Sequence, residues 1–475
     1  STLFPYTTLF RSYQAALTLK GRINENLNIG ITGSTFSSDE RERYDIEGNY
    51  ILKEQDIVEG NEAFDESSLL GIGRYIEHAR NQVKSEVYTI SHFGDFKIGS
   101  NLLKWGLTYQ QENVRDQIKE WEMRDSAGYS LQNTGIDVNL YSNLKADNKI
   151  KPSRFSGYIQ DTYKLNTDNG LFIINAGVRA SYWTFNEELI VSPRGAIAFV
   201  PSGIENFSIR LAGGIYYQAP FYKEFQKVVN VDGNNVIELN KDIKSQKSIH
   251  IVLGSDYYFG GSGEHNSPPL KLSGEIYYKK LSDLIPYTVN NVKIRYSGEN
   301  SSKGFALGMD MKLYGEFIPG VDSWISLGIM KTQQEIDGQK VPLPTDQRFN
   351  FALFYQDYMP GYERLKMSLR GLWSQGLPVS APYKGYENGY FRTPAYKRVD
   401  IGFSWQILGE NFAIRNTNSL CKALKNIWLG IDIFNIFDMQ NTNTYYWITD
   451  IYNHQYAVPN YLTGRQVNAK LLIEF

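Results

Sequence analysis

From residue 13 to the carboxyl end, apolar and polar residues alternate with a period of two, and hardly any stretch carries a helical period. The last stretch is the clearest. Val467, Ala469, Leu471, Ile473 and Phe475 fall on one face, and Gln466, Asn468, Lys470, Leu472 and Glu474 on the other, with only Leu472 out of pattern. Residues 397–407 set Val399, Ile401, Phe403, Trp405 and Ile407 against Arg398, Asp400, Gly402, Ser404 and Gln406. Residues 304–317 set Phe305, Leu307, Met309, Met311, Leu313 and Phe317 against Gly304, Asp310, Lys312, Tyr314 and Glu316. The pattern predicts strands at 13–22, 27–37, 82–93, 96–112, 153–165, 170–184, 189–200, 206–218 and 243–259. Further strands follow at 269–281, 302–317, 322–335, 346–358, 364–374, 395–407, 426–438 and 463–475, which makes 17.

Alternation also describes a soluble β-sandwich, so connection lengths decide. Turns near Asn24, Gly94, Asp168, Gly203, Pro319 and Gly361 are tight, whereas 38–81, 113–152, 219–242, 282–301, 375–394 and 439–462 are long. Short turns on one side and long loops on the other mark a membrane barrel. Two links break the rule: 185–188 is short and 408–425 is long. The expected fold is all-β, an antiparallel transmembrane β-barrel with about 17 strands present in this chain.

Composition agrees. The 475 residues include 34 Tyr, 25 Phe, 8 Trp and a single cysteine, Cys421, while 41 Gly are spread along the whole length with no Pro-rich or Ser-rich linker. No stretch approaches the ~20 apolar residues of a spanning helix, and a barrel strand needs only every second residue apolar. The 49 basic and 51 acidic residues are mixed along the chain, giving a net charge of −2, so no basic field exists for nucleic acid. One cysteine excludes a disulfide framework, and the five histidines, at 78, 92, 250, 265 and 454, show no metal-ligand spacing. No metal site, cofactor or catalytic constellation is expected, and the glycine runs at 71–73 and 260–263 read as turns rather than phosphate loops.

Residues 2–12, TLFPYTTLFRS, resemble a common sequencing adapter translated in one frame. They are read as a non-native artefact spanning residues 1–12, which leaves 13–475 as an incomplete barrel whose true start lies upstream.

Several stretches resemble one family. SPRGAIAF from Ser192 and RLAGGIYYQAPFYKEF from Arg210 look like the middle of TonB-dependent receptors, especially those of Bacteroidetes. FNIFD at Phe434 to Asp438, and YAVPNYLTGRQVNAKLLIEF running to Phe475, resemble their last two strands. The resemblance implies a 22-stranded barrel in the bacterial outer membrane, filled by an amino-terminal plug and taking up a scarce nutrient with energy relayed by TonB. Counted back from Phe475, residues 13–22 would be the sixth strand, with five strands, plug, TonB box and signal peptide missing. Phe475, with Ile473 and Leu471 before it, resembles the signal read by the barrel-assembly machinery. Asn435 and Asp438 are expected to satisfy backbone groups in a turn, and Arg194 to face lumen water or a plug carboxylate.

Ligand-binding candidates lie where aromatics cluster in loops: Tyr216, Tyr217, Phe221 and Tyr222; Tyr383, Tyr386, Tyr390 and Phe391; and Tyr445, Tyr446, Trp447 and Tyr452. Aromatic faces suit sugars, catecholate or porphyrin-like rings and peptides. Those nearest the strands equally suit a girdle at lipid headgroup level. The expected partners are outer-membrane lipid, TonB, the assembly machinery and an iron chelate, cobalamin, glycan or peptide nutrient. A passive porin or adhesin barrel is the competing function. Long-read sequencing of the source locus is expected to place a signal peptide, a plug and about five strands before Tyr13; a start codon directly before Ser1 would overturn both the artefact and the transporter readings.

Overall fold

The computed structural model describes residues 7–53, 69–124, 139–231, 234–260, 270–290, 293–318, 321–381, 385–409, 424–449 and 455–474. The wall strands are β1 (Thr7–Arg22), β2 (Leu27–Lys53), β3 (Leu69–Ile98), β4 (Asn101–Arg124), β5 (Ser153–Thr167), β6 (Gly170–Trp183), β7 (Glu188–Pro201), β8 (Phe207–Gln218) and β9 (Gln246–Phe259). They continue as β10 (Leu270–Leu284), β11 (Ser302–Ile318), β12 (Val321–Ile336), β13 (Phe349–Met359), β14 (Tyr362–Ser374), β15 (Tyr396–Leu408), β16 (Asn426–Phe434) and β17 (Gln466–Glu474). Each pairs antiparallel with the next, from β1–β2 through β16–β17. The sheet of 21 strands is these 17 plus four loop strands, Asn139–Ile150, Gln226–Val231, Asn234–Leu239 and Gln339–Val341. Among the described residues β1 and β17 do not pair with each other, so the barrel wall is open there.

A single curved sheet has no interior core of its own, and its two faces divide by parity. One face carries large apolar side chains that remain exposed, among them Ile90, Leu107, Leu211, Ile251, Leu307, Phe403 and Leu471. The other carries ion pairs: Arg210 with Asp256 at 2.7 Å and with Glu275, Lys470 with Asp432 at 2.9 Å, and Arg154 with Glu112 at 3.4 Å. The apolar face meets lipid and the charged face lines the lumen. Aromatics ring the apolar band at both ends. Phe172 stacks on Phe199 (4.4 Å) near the short turns, and Tyr109 meets Phe155 (5.1 Å) near the long loops. On β6 the outward Phe172 and Tyr182 are ten residues apart. At ~3.3 Å per residue and a tilt of ~40° that is about 25 Å of height, the thickness of the apolar band of such barrels.

All 17 expected strands form, but several boundaries need correction. Residues 38–81 and 113–152 were expected as loops. Instead, β2, β3 and β4 run far beyond the lipid, with continuous pairing from Leu27↔Phe96 to Leu52↔Gly71. Above the lipid, runs such as Asp39 to Arg43 are polar on both faces, so a real strand there shows no apolar period. The turn expected near Gly94 lies at Gly99 and Ser100, where Gly99 takes φ 56. Gly94 sits mid-strand beneath the indole of Trp105, where a Cβ would collide. Residues 219–242, 282–301 and 439–462 contain hairpins of their own, at Gln226–Leu239, Tyr287–Tyr296 and Thr442–Tyr461. β16 ends at Phe434 and β17 begins at Gln466. The FNIFD turn uses positive φ at Asn435 and Asp438. Asn435 Oδ1 accepts the Met439 N–H (3.0 Å) and Asp438 Oδ1 the Arg465 N–H (2.7 Å), as its residue types predict.

The facing gives a test. Phe403→Arg places a charge on the lipid side and is expected to cost about 2 to 4 kcal/mol near the bilayer midplane, whereas Ser404→Arg, on the lumen side, is tolerated far better. Folding titrations into vesicles that give equal effects contradict the assignment.

Candidate ligand-binding mouth

Among the described residues, two clusters of buried hydrophobic side chains lie at the long-loop end. Trp183, Phe185, Phe225, Ile243 and Ile285 form one cluster, with Tyr222, Leu239 and Tyr296 packed against it, and Ile118, Leu144 and Ile237 form a second. β4, the strand Asn139–Ile150 and the hairpin Gln226–Leu239 supply the second cluster, so the loops rest on the overlong strands rather than hang free. Asp116, 1% exposed, accepts Gln226 Nε2 at 3.0 Å. Burial pushes its carboxyl above the ordinary carboxylate range, against the pull of the neighbouring Tyr222 hydroxyl and Gln226. Glu224 is raised by burial too, although it accepts the Phe221 N–H (3.0 Å) and Gln246 Nε2 (2.9 Å). Arg295 reaches across to pair with Glu120.

A second anchor holds the loops after β12 and β14 together. Asp346 is fully buried and accepts the Thr332 N–H (2.6 Å), Thr332 Oγ1 (3.0 Å), Arg348 Nε (2.7 Å) and Arg392. Burial alone would raise its carboxyl, but the donors from Arg348, Thr332 and Arg392 hold it below the ordinary range. Arg392 also donates to the carbonyls of Asp346 (2.7 Å) and Gly376 (3.1 Å). That bracing sets the neighbouring Phe391, whose ring meets Tyr445 at 5.3 Å and Trp447 at 6.0 Å, both edge to face. Two aromatic groups that are separate in sequence thus form one junction.

The other expected site residues are scattered. Tyr216 lies on the lumen face of β8, stacked on His250 (4.3 Å) with the Arg194 guanidinium 4.7 Å over its ring. Tyr217 has the opposite parity and lies under Lys247 Nζ (5.7 Å). Phe221 is half exposed and set edge-on to Tyr296 (5.2 Å). Tyr222 turns inward against Phe225 (5.5 Å). Tyr386 is 4% exposed, donates to the Pro378 carbonyl (3.3 Å), and is pushed up to about 12 by burial. Tyr390 is exposed. Tyr383, Tyr452 and Phe475 lie outside the described residues, and so does the side chain of Tyr446. Leu471 and Ile473 are exposed on the lipid face of β17. Sequence reading missed Asp116 and Asp346. Asp116 was findable, because it shares parity with Val114 and Ile118.

Residues 2–436 match the model of a family described as TonB dependent receptor-like, beta-barrel. No curated protein sequence matches the chain. Among solved structures it is similar to the ferric-catecholate import receptor Fiu from E. coli K12 in its closed form, with TM-score 0.59 at 13% identity over 98% of this chain and 64% of that one. It is also similar to the siderophore receptor PiuA from Acinetobacter baumannii, with TM-score 0.57 at 13% identity over 98% and 65%. A third similar structure is the apoprotein form of the FrpB iron transporter from Neisseria meningitidis, with TM-score 0.53 at 10% identity over 98% and 72%. The chain thus spans under two thirds of the length of the first two.

The buried acid predicts a pH response. A carboxyl raised above its ordinary value of 3.8 favours folding fully below that value and loses the benefit as pH rises through its folded pKa. Protection of the Gln226–Leu239 amides from hydrogen exchange is expected to fall as pH rises from about 4 toward neutrality, and Asp116→Asn to flatten the change. Protection that rises with pH contradicts this.

Proposed function

The chain belongs to the TonB-dependent receptor-like β-barrel family of the bacterial outer membrane, and on that premise we propose that the whole protein imports an iron chelate of the siderophore class. The observation that carries this reading is the aromatic junction of Phe391, Tyr445 and Trp447, held by the buried Asp346 anchor at the long-loop end. Ring faces and edges suit the flat rings of a catecholate chelate, and a braced junction binds with little ordering cost. Lumen cations, such as Arg194 over Tyr216, suit its negative charge. The iron-import names of the similar structures support the same cargo class. Energy would come from TonB through a plug, neither of which is part of this wall.

Phe391→Ala is expected to weaken binding of a ferric tricatecholate probe about tenfold, the usual cost of truncating an aromatic anchor. Phe172→Leu, near the short turns at the opposite end of the wall, is expected to leave affinity unchanged. Binding is read by titration of the detergent-purified full-length protein, and uptake by radiolabelled iron in cells. Uptake that persists after the proton gradient is dissipated points to a passive channel and overturns the proposal.

A further inference from the structure

On the lipid face of β3 to β8, over residues 90–98, 103–109, 155–165, 172–182, 189–199 and 209–217, every outward side chain is apolar, Gly, Pro, Tyr or Trp, with two exceptions. They are His92 on β3 and Asp161 on β5, with β4 between them. Ionisable side chains turned toward lipid are costly and rare, and where they persist they mark function. Neither is satisfied within its own wall. Trp105 Nε1 donates to His92 Nε2 at 3.3 Å. An indole N–H can only donate, so that Nε2 carries no proton and Nδ1 holds the proton of the ring. Among the described residues no acceptor meets it. Asp161 Oδ2 accepts Asn101 Nδ2 at 3.1 Å, while Oδ1 meets no donor among the described residues. One donor and one acceptor are thus spare on the same face, at a depth where lipid supplies neither.

The two depths match. His92 is six residues above Ile98, the lower end of β3, and Asp161 is six above Thr167, the lower end of β5. At ~3.3 Å per residue and a tilt of ~40°, each lies about 15 Å above the end of its strand, inside the apolar band. A two-fold axis along the membrane normal keeps every residue at its own depth and makes each contact twice. Two copies set lipid face to lipid face about an axis at β4 therefore bring His92 of each to Asp161 of the other. We propose that this protein forms a two-fold dimer in the membrane through the outer faces of β3, β4 and β5, in which His92 Nδ1 of each copy donates to the Asp161 carboxylate of the other. A lipid tail cannot make that contact, and a second copy carries both halves of it. The wall has room for the approach. A crevice of about 610 Å³, lined by His92, Leu107, Phe155 and Gly157 among others, flanks the axis and receives Leu107 of the second copy, a side chain 62% exposed in the single wall. This rests on the membrane placement of the wall but not on the cargo or its uptake.

The test uses the full-length protein in lipid vesicles at low density, with copies per particle counted by stepwise photobleaching. The native chain is expected to give two. His92→Leu and Asp161→Leu, each alone, remove both contacts and are expected to weaken the dimer about tenfold or more. The two variants mixed regain one contact, so mixed pairs are expected to outnumber pairs of either variant with itself. Leucine suits a lipid-facing site, and heat-modifiable gel migration checks that both variants fold. A second measurement leaves His92 and Asp161 in place: in a Cys421→Ser background, a short bis-maleimide is expected to join Leu107→Cys copies but not Phe403→Cys copies, whose cysteine lies on β15. A monomeric native chain, undiminished pairing of either leucine variant, no preference for mixed pairs, or equal joining at the two cysteine positions overturns the proposal.

Discussion

Everything in this chain follows from one constraint: inside lipid, each backbone N–H and C=O must find its partner within the protein. A strand meets it only through its neighbours, and so each wall strand from β2 to β16 is paired on both sides, in one unbroken antiparallel ladder. The ladder leaves no room for a conventional core. A one-layer sheet offers two faces, and their chemistry is decided by what each meets. Lipid takes Ile251, Leu307 and Phe403, and lumen water takes the Arg210, Asp256 and Glu275 network.

The same ladder changes character with height. Within the lipid, side-chain parity is enforced by solvent, and a one-residue slip would turn charge outward. Above it, water reaches the outer face, and pairing is held by the backbone and by cross-strand charges such as Arg115 with Asp147 (3.1 Å). The hydrogen bonds that Arg41 and Gln82 donate hold the Asp39 carboxyl below the usual carboxylate range. Parity persists there for another reason, because one face packs on loops. Val114, Asp116 and Ile118 are buried while Arg115 and Lys119 are exposed.

This explains what the sequence could reveal. The wall was legible because lipid imposes strict alternation, clearest at Val467 to Ile473 and Val399 to Ile407. The outer halves of β2, β3 and β4 were not, since a run such as Asp39 to Arg43 has no apolar residue to mark its period. Gly94 misled for a physical reason: a glycine beneath a large ring looks like a turn when only its own residue type is seen. At the mouth, residue type was legible and environment was not. Tyr386 and Phe391 are five residues apart and equally aromatic, yet one is buried and the other joins the Tyr445 and Trp447 junction. The difference lies in Arg392 and Asp346, which are 46 residues apart in sequence.

Asp346 also shows why the mouth uses buried charge at all. Apolar side chains of similar volume often stabilise a site as well as a buried ion pair does, or better. What they lack is direction. Asp346 accepts from a backbone amide, a hydroxyl and two guanidinium groups, and Arg392 donates through Nη1 to two carbonyls. Shifting either loop by one residue would leave a buried carboxylate short of donors, at several kcal/mol. A long loop tied down this way has one arrangement rather than many, and its aromatic rings stand in place before any ligand arrives.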